Sequence, residues 1–573
     1  MGRYASAGMD RRVPFCKGEI MGQITIRFKN SAAVSIPIGT RINTLIDKLG
    51  VPEQEIAAVK MNNEIVPLSA RLEINAELEA VPLLVPDGVM IYRRSLAFMV
   101  AMAGLEVFPN RSLYIGHSLG NSYYYTFADE KKVTPSEILT LSEKMRELVD
   151  KNLRIDFQYM AYNEALAMFE KNNQIDTALL LDHRSESMVP VNRCGEFLDL
   201  YIEPLVSRTG LLKAFELAEY RNGFLLKFPG IGKGYQIDPF EDNDYDKIFS
   251  VYEEYKKWGR IVGVHAVGEL NKLVTNRTIR EYIRIAEAFQ ANKLAEIAQR
   301  IYEKRNSVRV VLIAGPSSSG KTTTAKKLSI QLKVMGIEPI AIGLDDYYVG
   351  TDKTPLDEHG NPDFECLEAL DIPYLNEQLL ALFRGEEVEI PSFDFKSGRR
   401  REGGKPLKLG RRSMLIIEGI HGLNDGLTPQ VDPDMKFKLY VSALTQLNLD
   451  DHNRIPTSDN RLLRRMVRDY QFRGADAART ISMWPSVQRG ERKHIFPFQN
   501  SADIAFNSAL DYELAVLKFY AEPLLRSVKP HMEEYSEAVR LLSFLENFAP
   551  IPPQYVPGQS ILREFIGESE FKY

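Results

Sequence analysis

Cysteine and tryptophan are scarce in this chain, with three Cys and two Trp among 573 residues. Cys16, Cys194 and Cys366 lie too far apart for a zinc-ligand spacing and are too few for a disulfide framework, so a reducing, cytoplasmic setting is expected. No uninterrupted apolar run reaches the ~18 residues of a membrane span. The nearest approach, Leu96 to Val107, is broken by Gly104 and Glu106 and reads as a buried helix, so no membrane partner is expected. Residues 1–21 carry Arg3, Arg11 and Arg12 without the apolar segment of a secretory signal, and are expected to form a disordered leader. Neither charge sign dominates: 72 Lys and Arg face 77 Asp and Glu, a net charge of −5. That balance excludes a surface devoted to nucleic acid and leaves local basic patches open, the N-terminal region included. What remains is ordinary globular composition, 44% apolar and 26% charged, without repeats or low-complexity tracts. The length suggests about four domains.

Along the chain, residues 22–84 read as a small β-rich unit. Ile24, Ile26 and Phe28 alternate with polar neighbours, Thr44 to Leu49 suggests a short helix ending at Gly50, and strands are expected around 57–61 and 76–82. Residues 85–225 form a second unit, with a helix expected near Ser136 to Lys151 and His117 read as a structural loop histidine. A connector at 226–305 holds the turn Pro229-Gly-Ile-Gly-Lys-Gly234 and an acidic loop (Glu241, Asp242, Asp244, Asp246). It ends in a long helix from about Thr278 to Arg305. The chemistry falls within residues 306–530. Residues 531–573, a C-terminal helix and tail, are expected to add little chemistry. Ser560 to Ile566 reads there as an arm packing on the body or across a homo-oligomer interface.

The strongest signal is Gly315-Pro316-Ser317-Ser318-Ser319-Gly320-Lys321-Thr322, followed by Thr323. It fits G-x-x-x-x-G-K-[ST] at every fixed position. The apolar run Val308 to Ala314 precedes it and a helical pattern over 323–335 follows, the context in which backbone N–H groups cradle phosphate. Such a loop binds a nucleoside triphosphate, with Lys321 reaching its phosphates and the Thr322 hydroxyl holding Mg²⁺. A second strand, Pro339 to Leu344, runs into Asp345-Asp346-Tyr347-Tyr348, and a third, Ser413 to Ile417, into Glu418-Gly419. A carboxylate at such a strand end can take the proton of an attacking hydroxyl or support Mg²⁺. Arg461, Arg464, Arg465 and Arg468 share a helical face and, with Arg473, suit a lid that clamps a transferring phosphoryl group.

In this order the motifs, with Pro391-Ser-Phe-Asp-Phe395 between them, resemble the uridine kinase and phosphoribulokinase family over about residues 308–510. The resemblance implies an α/β P-loop kinase domain, a parallel sheet flanked by helices, that uses ATP and Mg²⁺ to phosphorylate the 5′-hydroxyl of a nucleoside. It implies Asp345 as general base, with Lys321, Arg468 and Arg473 catalytic. Residues 315–323 and Arg465 would hold ATP, and Thr322 and Glu418 would serve Mg²⁺. Tyr348, Glu365, Phe393, Asp394 and Arg399 would meet the acceptor. Residues 22–84 resemble the β-grasp TGS domain, and residues 85–225 the α+β editing domain of threonyl-tRNA synthetases. The editing family's His-x-x-x-His and Cys-x-x-x-His positions fall on Arg94, Phe98, Tyr201 and Leu205, which implies a catalytically degenerate copy.

The chain also departs from the kinase pattern. Asp363-Phe-Glu-Cys-Leu-Glu368 replaces a segment that carries His and Pro, and Phe393 and Gly398 stand where a Tyr and a His read a pyrimidine. Ala475 stands where another arginine is usual, with Arg479 one turn further on. Phosphorylation of another hydroxylated metabolite, a sugar or sugar phosphate, is therefore a competing expectation. A third is an RNA- or ribosome-associated regulator switched by nucleotide.

Overall fold

Alternating burial in Gln23–Phe28 builds the first sheet: Ile24, Ile26 and Phe28 point into the core while their neighbours face solvent. The computed structural model describes residues 22–29, 31–184, 186–239, 245–356, 360, 362–394, 397–401 and 403–572. The expected leader with Cys16, the acidic residues Glu241, Asp242 and Asp244, and Phe395 lie outside the described residues. The first sheet runs Ser31–Pro37, Gln23–Phe28, Ala76–Pro82, Ile56–Met61, Glu64–Val66, with the strands at 23–28 and 76–82 parallel and the other pairs antiparallel. A 3₁₀ helix, Ile42–Lys48, packs Ile42, Leu45 and Ile46 against it, and Gly50 turns the chain with φ +72°. This is the β-grasp arrangement.

The second unit is α+β. Helix Pro86–Val107 is longer than expected and is the one described helix long and apolar enough to cross a membrane, but 78% of its most apolar window is buried inside the protein. It packs on helix Pro135–Lys151, whose start is fixed by a reciprocal Thr134–Glu137 capping box. Two antiparallel sheets complete the unit: Glu216–Tyr220, Gly223–Lys227, Ser122–Phe127, Leu113–Ser118, and Asp156–Ala161, Met188–Cys194, Phe197–Leu200. His117 lies in a strand rather than a loop. Its ring packs 5.7 Å from Tyr252, and burial holds its pKa down at about 3, so it is a neutral core residue.

Beyond residue 245 the chain forms helices Asp246–Val262, Val267–Thr275 and Ile279–Glu303. The third matches the expected long helix and packs on helix Lys321–Val334. The kinase-like sheet then runs Glu338–Gly343, Ser413–Glu418, Val310–Ala314, Lys436–Ser442, Ile504–Asn507, all parallel. Val310–Ala314 is central and wholly buried, as a continuous run of Val, Ile, Leu and Ala requires. One apolar core links Met160, Phe169 and Leu180 to Ile283, to the sheet residues Val311 and Ile313, and to Phe544, Leu562 and Phe565 near the C-terminus. The strands therefore deliver Gly315, Asp345 and Glu418 to one end of the sheet, where parallel α/β folds bind ligands.

Candidate active site

The loop from Gly315 to Gly320 closes tightly on the sheet. A Cβ at Gly315 would stand 1.9 Å from the Val441 carbonyl oxygen, so only glycine fits there. Gly320 begins the helix with φ +80°, and Ser318 also takes a left-handed φ of +58°. Helix Lys321–Val334 leaves the loop, and the first N–H groups of such a helix have no partner within it. Lys321 Nζ folds back to donate to the Pro316 carbonyl at 3.2 Å.

The two acidic strand ends reach this loop differently. Glu418, the last residue of its strand, accepts from the Thr322 hydroxyl at 2.8 Å. Burial pushes its pKa up to about 7; Lys321 and the Thr322 bond oppose the shift and Asp345 adds to it. The next pair divides its labour. Asp346 accepts from the Phe393 backbone N–H at 3.1 Å and so ties the 344–348 turn to residue 393. Asp345 makes no hydrogen bond among the described residues. It is an exposed carboxylate just past the end of the strand, and desolvation by the groups around it raises its pKa; Lys321, Arg473 and Arg468 pull it back, and Asp346 pushes it up.

The arginine face splits in two, which corrects the expectation of one continuous lid. Arg461 and Arg464 are 4% and 0% exposed. Arg461 grips Glu491 with both terminal nitrogens and donates to the Ser317 carbonyl at 3.0 Å. Arg464 grips Glu513 and donates to the Ser318 carbonyl at 3.3 Å and the Ser508 carbonyl at 3.0 Å. These two side chains hold the phosphate loop from behind and do not face a ligand. Asp469 gathers the others: Arg465 at 3.3 Å, Arg468 at 2.8 Å and Arg473 at 3.6 Å. Arg465 also donates to the Ser317 hydroxyl at 2.8 Å. Arg479 is exposed at the start of the next helix.

On the acceptor side, Tyr348 packs edge-on to Phe364 at 5.7 Å and against Phe393 at 5.5 Å, and its hydroxyl donates to the Phe364 carbonyl at 3.2 Å. Burial raises the pKa of Glu365 to about 7; Glu491 adds to the shift, while Arg465 and Lys321 oppose it. Glu365 thus belongs to the same charge cluster as the phosphate loop. His421 and His494 sit beside the same segment with rings 6.2 Å apart, and burial lowers both pKa values, that of His421 to about 4. Asp394 pairs with Arg401 at 3.8 Å and lies opposite Arg399 in a short ladder. Arg399 is not brought in: it is exposed, with no side-chain bond to the described residues, whereas Arg400 bonds Asp371 at 3.0 Å.

Thr322 and Glu418 offer a hydroxyl and a carboxylate 2.8 Å apart, beside a second carboxylate. That donor set suits a hard divalent cation such as Mg²⁺. Residues 310–515 match the Phosphoribulokinase / Uridine kinase family. The match makes this region similar to small-molecule kinases built on a nucleotide-binding P-loop. The N-terminal region is similar to threonine–tRNA ligases. Identity is 30% over 168 residues with that of Coxiella burnetii (strain RSA 493 / Nine Mile phase I), covering 29% of this chain and 26% of the relative. It is 33% over 168 residues with that of Marinobacter nauticus (strain ATCC 700491 / DSM 11845 / VT8), with the same coverage of 29% and 26%. The chain thus spans about a quarter of the length of these curated relatives. A solved structure titled a possible uridine kinase from Bacillus stearothermophilus aligns with 38% of this chain and 98% of its own, at 20% identity and a TM-score of 0.24.

In the ligase-like region, the four editing positions carry packing and ion pairs. Phe98 meets Phe197 at 5.0 Å, Tyr201 packs on Phe157 at 4.6 Å, and Leu205 is buried. Arg94 pairs with Glu203, which also meets Arg540 at 3.3 Å, and Arg540 reaches Asp459 at 2.7 Å in the first turn of the arginine helix Thr457–Arg473. Arg94 is therefore wired to the element that carries Arg465 and Arg468. Sequence reading missed Glu491, Glu513, Glu203, Arg540 and Glu564. Most of their partners lie dozens to hundreds of residues away; only the Glu537–Arg540 pair, three residues apart, and Asp469, four residues after Arg465, leave a local trace.

Proposed function

We propose that this protein transfers the γ-phosphoryl group of ATP, with Mg²⁺, to the 5′-hydroxyl of a nucleoside. The observation that carries the reading is the uncommitted carboxylate of Asp345, set among Lys321, Arg468 and Arg473 at the mouth of the phosphate loop. A carboxylate so placed accepts the hydroxyl proton, and the three cations oppose the upward shift that its surroundings impose. Lys321, the loop amides and Arg465 hold the phosphates, and Arg468 and Arg473 face the charge that develops on transfer. Thr322 and Glu418 would hold Mg²⁺, which when bound neutralises phosphate charge. Glu365 supplies a carboxylate for acceptor hydroxyls beside the Tyr348, Phe364 and Phe393 rings.

A second reading, a sugar or sugar-phosphate acceptor, is favoured by the backbone at Gly398. Its φ is +66°, and a Cβ there would stand 2.3 Å from Thr351 Oγ1. No base-reading side chain can occupy that position, and the Phe393 ring offers no hydrogen bond to a base edge. Phosphate transfer from ATP across a panel of nucleosides, sugars and sugar phosphates separates the readings. Turnover confined to nucleosides supports the first, and turnover confined to sugars or their phosphates replaces it. Retained ATP binding with no acceptor turned over would instead favour the nucleotide-switched regulator.

A further inference from the structure

The C-terminal arm, expected to carry little chemistry, returns to the phosphate loop. Ile561, Leu562 and Phe565 are 0% exposed, and Arg563 pins the arm by donating to the Pro553 and Val556 carbonyls at 3.1 and 2.7 Å. The Phe565 ring lies 4.9 Å from the Arg464 guanidinium. Ile561 sits so close to Gly320 that a Cβ there would meet its Cγ2 at 2.6 Å. On this rigid base stands Glu564. Its Oε2 accepts from the Thr323 backbone N–H at 3.0 Å and from the Thr323 hydroxyl at 2.6 Å.

Thr323 is the third residue of the helix that leaves the phosphate loop. Its N–H is one of the donors left without a carbonyl partner inside the helix, which with the helix dipole make such an N-terminus an anion site. A carboxylate oxygen and a phosphate oxygen are ligands of one class, charged and accepting only. The same carboxylate adds to the negative charge around Glu418.

We propose that Glu564 is a built-in competitor for the nucleotide: its carboxylate holds the Thr323 donors in place of a phosphate oxygen and gives them up when nucleotide enters. The proposal rests on the phosphate loop taking a nucleoside triphosphate. Relative magnitudes decide what moves. Lifting the arm would expose four buried apolar side chains, Ile561, Leu562, Phe565 and Ile566, a far larger loss than two hydrogen bonds. Glu564 itself is half-buried, with solvent beside it. The side chain therefore swings out and the arm stays. Nucleotide affinity is set by how firmly Thr323 holds its own carboxylate.

Calorimetric titration of the full chain with Mg-ATP tests this. Glu564→Gln keeps the shape and weakens a charge-assisted pair to a neutral one, so ATP should bind about five- to tenfold more tightly than to wild type. Equal or weaker binding by the variant, with wild type binding normally, overturns the proposal. Failure of both proteins to bind ATP would instead remove the phosphate-loop reading beneath it. Hydrogen exchange on wild type stands apart from any folding defect of the variant. Amides over 560–566 should stay protected when ATP binds, and their release would overturn a mechanism in which only the side chain moves.

Discussion

Glu418 spends stability for function, and Glu418→Gln should recover it. The carboxyl group is shifted from an ordinary value of 4.5 to about 7, chiefly by burial. A folded-state pKa above the unfolded one means that the native protein binds the extra proton. Stability is therefore highest below about 4.5, falls as pH rises through 7, and stays low above it. The gap corresponds to about 3 kcal/mol at pH 8. Glutamine mimics the protonated acid and still accepts from the Thr322 hydroxyl, so the metal-free variant should match wild type near pH 4.5 and exceed it at pH 8. For a region of this size the gain is a melting increase of about 6–12 °C, read by calorimetry at both pH values. Phosphotransfer should fall steeply in the same variant. A melting temperature at pH 8 equal to or below that of wild type would refute the picture of Glu418 as a strained, cation-seeking carboxylate.

Four further single substitutions probe other parts of the site. Arg464→Met should cost about 3–5 kcal/mol in urea unfolding, because it leaves Glu513 buried and unpaired and strips donors from the Ser318 and Ser508 carbonyls. The exposed Arg479→Ala should stay within about 0.5 kcal/mol of wild type. Gly490→Ala places a Cβ 2.7 Å from Glu365 Cβ and Cγ, so the acceptor KM should rise about tenfold while the ATP KM holds, the split being read by steady-state kinetics. Arg540→Ala removes the cation shared by Glu203, Asp459 and Glu537 and should destabilise by about 2–4 kcal/mol. A double-mutant cycle with Arg94→Ala should show coupling through Glu203.

Local pattern carried the elements well and long-range pairing poorly. Alternation of Ile24, Ile26 and Phe28 and the glycine-rich loop each write their geometry within a few residues, and the strands and helices lie close to where those signals place them. The 31–37 strand was missed because Ser31-Ala-Ala-Val-Ser-Ile-Pro has too weak an alternation to announce itself. At the site, the glycine-rich loop, Asp345 and Glu418 were legible because strand ends converge by topology. The arginine face was legible only as a face. Helical spacing gives direction, but which arginines are spent on Glu491 and Glu513 depends on partners 30 and 49 residues away. Arg399 misled for a similar reason: it neighbours the ion-paired Arg400 and Arg401 in sequence yet points to solvent. The C-terminal arm was silent because a single Glu in an apolar tail has no signature until the chain brings it to Thr323.

The central claim is that Asp345 serves as the base of a phosphotransferase. Phosphate transfer and ATP binding measured side by side for wild type and Asp345→Asn test it most directly. The expected result is turnover reduced about 10²- to 10⁴-fold with ATP affinity within a factor of about three. Asp345→Asn with undiminished turnover on an acceptor that wild type phosphorylates would contradict it.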